Sequence, residues 1–500
     1  MKKGKCFLLG AGPGDPGLLT LRGHEVLGRA EVVVYDNLAN AELLGLAPET
    51  AELLYAGKKP DDHSMTQEEI NRLLVKKTAA GSQVVRLKGG DPYVFGRGAE
   101  EAGALAAADL DFEVVPGISS ALAGPAAAGI AVTRRGVNED LNIFTGHQDP
   151  ESKEGREFYR GLGARGGTLV MLMGLERLSG IACELQAGGA QPDLPVAVVR
   201  RATMGDQVTV RAPLSEIAAR VAAERLRPPA VVVFGAVASA EHALLCPRPL
   251  TGRRIVVTRS RVGASKLAGA LRDLGADVYE MPLIKREGPE NLREFAELVQ
   301  DAHTYEWIVF TSANGVDAFF EIFYKLYDDA REIGGTKFGA VGAATAQRIK
   351  DWHFHVDLVA EEFHAKSLAS AFRDYTDVEN VKILAVRPAE TSGALALELT
   401  KMGAIVDEAI AYRTRPETED RTRARQRFEE EGADLVVFTS SSTVRNFFAL
   451  KLNLPDGLQF ASIGPVTTGT LAEFQTKPAI QAKQHDIMGL VQAISAFYVA

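Results

Sequence analysis

Five hundred residues exceed what one hydrophobic core organises, so the chain is expected to fold as about three units. Its 46% hydrophobic and 24% charged composition, with 48 glycines, is that of a water-soluble α/β protein. A formal charge of −9 excludes a bulk nucleic-acid or anionic-membrane binder, so an acidic ligand has to be held by local arginines.

Near the start, Phe7-Leu8-Leu9 runs into Gly10-Ala11-Gly12-Pro13-Gly14-Asp15, an apolar strand that stops at a glycine bend. The two lysines ahead of this run do not make a signal peptide, because the apolar stretch is too short. Further strands are predicted at Glu31 to Tyr35, Leu53 to Tyr55, Val84 to Leu87, Phe112 to Val115, Thr168 to Met173, Val196 to Val199 and Ala230 to Phe234. Their alternation with helical stretches predicts a mainly parallel sheet covered by helices. Two more of these strands end like the first, at Gly89-Gly90-Asp91-Pro92 and at Pro116-Gly117-Ile118-Ser119-Ser120. Three glycine turns at strand ends imply one shared pocket with room for close backbone approach.

The prolines and glycine of residues 246–252 break the pattern before a strand at Arg254 to Thr258, which places a linker there between domains at 1–245 and 253–500. Beyond it the chain repeats itself at an offset of 128: Arg254-Ile-Val-Val-Thr-Arg259 with Lys382-Ile-Leu-Ala-Val-Arg387, and Val309-Phe-Thr-Ser with Val437-Phe-Thr-Ser. The offset falls to 122 for Val341-Gly342 and Ile463-Gly464. A duplication follows, giving two similar α/β lobes with a cleft as a natural ligand site. The charged run Glu417 to Gly432 reads as a solvated helix. Cys6, Cys183 and Cys246 are odd in number and widely spaced, which argues for a reducing cytoplasm and against a disulfide framework or CxxC metal pair. His147 has no second histidine at ligand spacing, so no metal is expected and its role reads as structural. No apolar run approaches the roughly 18 residues of a membrane span.

The first glycine turn resembles the dinucleotide fingerprint only poorly, since Pro13 removes a donor and Asp15 brings negative charge where a pyrophosphate would sit. A phosphate-free ligand such as S-adenosylmethionine suits it better. Residues 4 to about 245 resemble uroporphyrinogen-III C-methyltransferase of the tetrapyrrole methylase family, through LLGAGPGDPGLLTLRG, VVVYDNL, YAGKK, VVRLKGGDPYVFGRGAEE, VVPGISSA, GIAVTRRG, TLVMLMG and PVAVVRRAT. That resemblance implies a two-lobed α/β fold distinct from the Rossmann methyltransferases, a homodimer formed through this domain, and S-adenosylmethionine as cofactor, with S-adenosylhomocysteine as product. Carried over by motif, Pro13, Gly89, Gly90, Asp91, Val94, Ser119, Ser120, Met173 and Ala202 are cofactor-binding candidates, Ala202 standing where many relatives have glycine. Asp36 is the candidate proton acceptor, Lys58 a candidate donor, and Arg97 and Glu100 candidates for substrate binding or base work. Arg134 and Arg135 suit the substrate's carboxylates.

Residues 253 to about 498 resemble uroporphyrinogen-III synthase, through VTRS, FTSANGV, VGAATA, AVRPAE, AYRT, VVFTSSSTVRNFF and SIGPVTTGTL. This implies a pair of flavodoxin-like lobes joined by a strand pair, one of 253–284 plus 414–500 and the other of 285–413. Tyr412 matches the tyrosine proposed to help the bilane hydroxyl leave. Ser312, Ser440, Ser441, Gly464 and Thr467 at strand-to-helix turns, with Arg259, Arg387 and Arg413, are substrate-binding candidates, helix capping being the competing role of the hydroxyls.

Together the resemblances imply a cytoplasmic enzyme that closes hydroxymethylbilane to uroporphyrinogen III and methylates it at C2 and C7 to precorrin-2, towards sirohaem or cobalamin. Its partners are then small tetrapyrroles, with neither nucleic acid nor membrane. Two alternatives stay open: a methylase acting on a later corrin intermediate, and a non-catalytic tetrapyrrole-binding C-terminal module.

Overall fold

The computed structural model describes residues 4–57, 65–244, 248–258, 264–360 and 365–499. Lys58, Arg259 and Cys246 lie outside them. In the N-terminal half the strands are β1 (Lys5–Gly10), β2 (Val32–Tyr35), β3 (Glu52–Tyr55), β4 (Gln83–Lys88), β5 (Asp111–Val115), β6 (Leu141–Thr145), β7 (Thr168–Leu172), β8 (Pro195–Arg200), β9 (Val208–Pro213) and β10 (Ala230–Phe234). β1 to β5 form one sheet in the order β3-β2-β4-β1-β5, parallel throughout, with Cys6 opposite Val84 and Phe112. The order places the ends of β1, β4 and β5 side by side, which brings their three glycine turns together.

The second sheet, β6-β7-β10-β8-β9, corrects the expectation of a mainly parallel arrangement. Only β6 and β7 are parallel; β10 runs against both its neighbours and β8 against β9. Ala230–Phe234 is buried on both faces, and such a strand reads as a continuous apolar run whichever way its neighbours run. Thr168–Leu172 stops one residue before Met173, whose positive φ of 54° turns the chain out of the sheet.

The C-terminal half continues with β11 (Arg254–Val257), β12 (Asp277–Glu280), β13 (Ile284–Glu287), β14 (Trp307–Phe310), β15 (Lys337–Val341), β16 (Leu358–Ala360), β17 (Lys382–Pro388), β18 (Ile405–Pro416), β19 (Leu435–Phe438), β20 (Gln459–Ser462) and β21 (Ile480–Gln481). Residues Pro282–Thr418 form one compact unit, and Met1–Met281 with Glu419–Ala500 form the other. The sheet orders are β12-β11-β19-β20-β21 and β13-β18-β17-β14-β15-β16.

These orders show how the duplication is used. β11, β12, β14, β15 and β16 of the first repeat correspond in turn to β17, β18, β19, β20 and β21 of the second, and each sheet joins the first two strands of one repeat to the last three of the other. The swap preserves one strand order in both sheets, with only β13 added, antiparallel to β18. In the unit Pro282–Thr418 the core is aromatic: Phe310 of β14 packs edge-on to Phe319 and stacks with Phe320 and Phe338, all fully buried or nearly so.

Candidate functional site

The turns after β1, β4 and β5 meet at backbone distance. Gly12 and Gly90 exchange hydrogen bonds, Gly12 N to Gly90 O at 3.2 Å and Gly90 N to Gly12 O at 2.7 Å. A Cβ on Gly117 would lie 2.2 Å from Gly90 O and 2.7 Å from Gly10 Cα, so only glycine fits there. Asp91 pins the junction, its carboxylate accepting from Tyr93 N at 2.8 Å and Gly117 N at 3.1 Å. Both its oxygens are thus engaged by the protein's own backbone.

Over this junction lies a cavity of about 530 Å³, within the range that holds small ligands. All nine sequence-derived cofactor candidates line it: Pro13, Gly89, Gly90, Asp91, Val94, Ser119, Ser120, Met173 and Ala202. Ser119 also caps the helix Ser120–Ala127 through Ala121 N at 3.3 Å. Ala202 fits without backbone strain, since Arg201 and Thr203 on either side have positive φ and it does not. Asp15 faces elsewhere: its carboxylate caps a turn through Gly17 N at 2.8 Å, and its own N–H donates to Thr203.

Sequence reading missed His147, Glu176, Arg177 and Arg201 on this wall. His147, read as structural, belongs to the lining, and Arg177 donates to its carbonyl. The only signal for Arg201 was its place in PVAVVRRAT beside Ala202.

Asp36 lies on an adjoining cavity of about 170 Å³ that shares Pro13, Leu38, Arg201 and Pro229 with the larger one. Its carboxylate accepts from Leu38 N at 3.0 Å and from Arg86 Nη2 at 2.8 Å. Arg86, on β4, also donates to Glu101 Oε1 at 3.0 Å, which takes Lys88 Nζ from the same strand at 2.9 Å. Arg86, Lys88 and Glu101 are all buried, and burial followed by the nearby Arg86 lowers the pKa of Lys88. Cys6 beneath them is pushed up to about 12 by burial and by Glu101, an inert thiol. Removing the central charge leaves two buried cations short of a partner, so Glu101→Gln is expected to cost about 3–5 kcal/mol in chemical denaturation. A loss below 1 kcal/mol would show that the network is solvated.

Arg97 and Glu100 occupy each other: Nε and Nη2 of Arg97 meet the carboxylate at 2.8 and 2.7 Å on the exposed start of the helix Gly98–Ala107. These bonds hold Glu100 below the usual carboxylate range, which disfavours it as a base. Neither lines the cofactor-sized cavity. Arg134 donates its backbone N–H to Asn138, its Nη1 is buried without a hydrogen-bond partner, and it lines neither cavity. Arg135 is exposed.

In the unit Pro282–Thr418, Tyr412 is buried in the aromatic core and donates to Ser312 Oγ at 3.1 Å. Ser312 also caps the helix Ala313–Leu326 through Gly315 N at 3.1 Å. Arg387 and Arg413, the substrate-binding candidates of this unit, are each paired with carboxylates of the protein. Glu408 takes Arg387 at 2.6 and 3.3 Å, while Glu287 and Glu290 take Arg413 at 3.2 and 3.4 Å.

In the other unit, Ser440 caps the helix Ser441–Ala449, and Ser441 Oγ accepts from Thr470 at 2.7 Å. Gly464 precedes the helix Pro465–Glu473, which carries the buried Thr467. The charged run after Glu417 is a correction. Its helix Ala424–Glu431 is packed rather than solvated, with Arg427 bonded to Asp277 at 2.5 Å and to Glu431 at 2.9 Å. Among the described residues no helix is long and apolar enough to cross a membrane, and no group of three or more His, Cys, Asp or Glu has metal-holding geometry.

Residues 5–218 match the family model for tetrapyrrole (corrin/porphyrin) methylases, and residues 265–492 match that for uroporphyrinogen-III synthase HemD. A porphyrin biosynthesis protein HemD from Ruminiclostridium josui is 34% identical over 97% of this chain and 96% of its own length. An S-adenosyl-L-methionine-dependent uroporphyrinogen III methyltransferase from Methanosarcina barkeri is 48% identical over 46% of this chain and 91% of its own. The crystal structure of uroporphyrin-III C-methyl transferase from Thermus thermophilus with S-adenyl homocysteine is 40% identical, covering 47% of this chain and 93% of that one, with a TM-score of 0.40. The two family models and the relative matched along its whole length define a tetrapyrrole methylase continued by a second α/β half. The chain belongs to the porphyrin biosynthesis family in which that methylase is fused to a uroporphyrinogen-III synthase.

Proposed function

We propose that the chain converts hydroxymethylbilane to precorrin-2, the C-terminal half closing the ring to uroporphyrinogen III and the N-terminal half methylating it at C2 and C7. The observation that carries this reading is the cavity over the glycine junction beside Asp36. Its residues fit S-adenosylmethionine: the strand-end turns bring glycine backbone to the wall, and among the described residues the two arginines that line it, Arg177 and Arg201, are both hydrogen-bonded within the protein. When bound, that cofactor supplies a methyl on a cationic sulfur.

The protein's own groups then do three things. The glycine turns and Met173 hold the donor's position. Arg86 fixes Asp36 from inside the sheet, so that its carboxylate stands at the edge of the shared wall. There Asp36 accepts the proton that the methylated pyrrole carbon releases. In the unit Pro282–Thr418, the Tyr412 hydroxyl, held by Ser312, assists loss of the bilane hydroxyl. In the other unit, the turns at Ser440, Ser441 and Gly464 carry hydroxyl and backbone N–H donors of the kind that bind carboxylates. We assign the domains as 1–245 and 253–500 with a linker at 246–252, and we place the enzyme in the cytoplasm as a dimer through its methylase half.

The test is methyl transfer to supplied uroporphyrinogen III. Addition of two methyl groups is expected. A substrate left untouched would favour a later corrin intermediate and contradict the assignment.

A further inference from the structure

We propose that the synthase half is a working part of the cofactor cavity, with Glu431 and Asp277 as positioning residues for methyl transfer. This rests on reading that cavity as the S-adenosylmethionine site. The loop 201–207 supplies Arg201 and Ala202 to the wall, and two of its residues, Arg201 and Thr203, carry positive φ of 45° and 70°. Such backbone persists only where its surroundings hold it.

Part of that hold comes from the C-terminal half. Arg201 donates to Asp206 at 2.6 Å and to Glu431 at 2.7 Å, and Gly205 N donates to Asp277 at 2.8 Å. Arg427 ties the two distant carboxylates together from behind, at 2.5 Å to Asp277 and 2.9 Å to Glu431, and lies 4.3 Å from the centre of the Tyr279 ring. The result is a chain of charge-assisted hydrogen bonds running from the cavity wall into the synthase half and back to the same loop. Glu431 and Asp206 also neutralise a guanidinium on the wall of a cavity that would take a cationic ligand. A loop displaced by even an ångström changes where the donor methyl points.

Calorimetry with S-adenosylhomocysteine on the full chain, with steady-state methylation, tests this. Glu431→Gln and Asp277→Asn are each expected to weaken binding about tenfold and to raise the KM for S-adenosylmethionine more than they lower kcat. Formation of the type III isomer from fresh hydroxymethylbilane stays at the wild-type rate, which certifies the fold. Should Glu431→Gln lose that activity, Arg201→Lys breaks the same pair from the methylase side. The double variant Arg201→Lys/Glu431→Gln is expected to bind no more weakly than the worse single variant. Wild-type affinity in both carboxamide variants, or strictly additive losses in the double, would overturn the inference. Failure of the unmutated chain to bind S-adenosylhomocysteine would instead remove the cofactor reading itself.

Discussion

Gly117→Ala is expected to weaken S-adenosylhomocysteine binding by about 10- to 100-fold. The added Cβ would fall 2.2 Å from Gly90 O and 2.7 Å from Gly10 Cα, both backbone atoms of the other two strand ends. No side-chain rotation relieves such an overlap, so a turn must move, and the nearest is Gly89–Asp91 on the cavity wall. Overpacking of this kind costs about 1–3 kcal/mol, and each 1.4 kcal/mol is a tenfold change in affinity. Gly103→Ala is the control: nothing lies within 4 Å of its Cβ, and it is expected to bind like the wild type. Calorimetry on both variants decides the point, and equal affinities would mean that the glycine junction does not shape the cofactor cavity.

Asp36→Asn is expected to lower kcat for methyl transfer by about 10²- to 10⁴-fold, the usual contribution of a general base. Asparagine keeps an oxygen for Leu38 N and nearly the same volume, so the local turn is preserved. Because Asp36 lies on the smaller cavity and not on the larger, cofactor affinity should stay within about twofold. Rapid-quench measurement of the first methylation checks this. A variant that retains its rate would exclude Asp36 as the proton acceptor.

Much of this site is legible in the sequence because glycine turns at strand ends are local signals. Gly89-Gly90-Asp91 and Pro116-Gly117 announce close backbone approach before any tertiary contact is known, and parallel pairing of β4, β1 and β5 then brings them together. Strand direction is not local. Ala230–Phe234 is apolar on both faces, and nothing within it records that its neighbours run the other way. Charge pairing is equally hidden. Arg387 meets Glu408 only because β17 and β18 lie side by side, and a search for cations cannot see such partners without the register. The run after Glu417 misled for the same reason, since Arg427 and Glu431 are paired with groups 150 to 230 residues away. Offsets of 128 and 122 reveal the duplication, but the exchange of strands between sheets rests on pairings that no single segment encodes.

The most direct measurement incubates the whole chain with fresh hydroxymethylbilane and S-adenosylmethionine and analyses the product. The expected product is a type III tetrapyrrole carrying two new methyl groups, formed with release of two S-adenosylhomocysteine. Accumulation of type I uroporphyrinogen at the rate of the bilane alone would contradict the synthase activity, and accumulation of unmethylated type III uroporphyrinogen would contradict the methyl transfer.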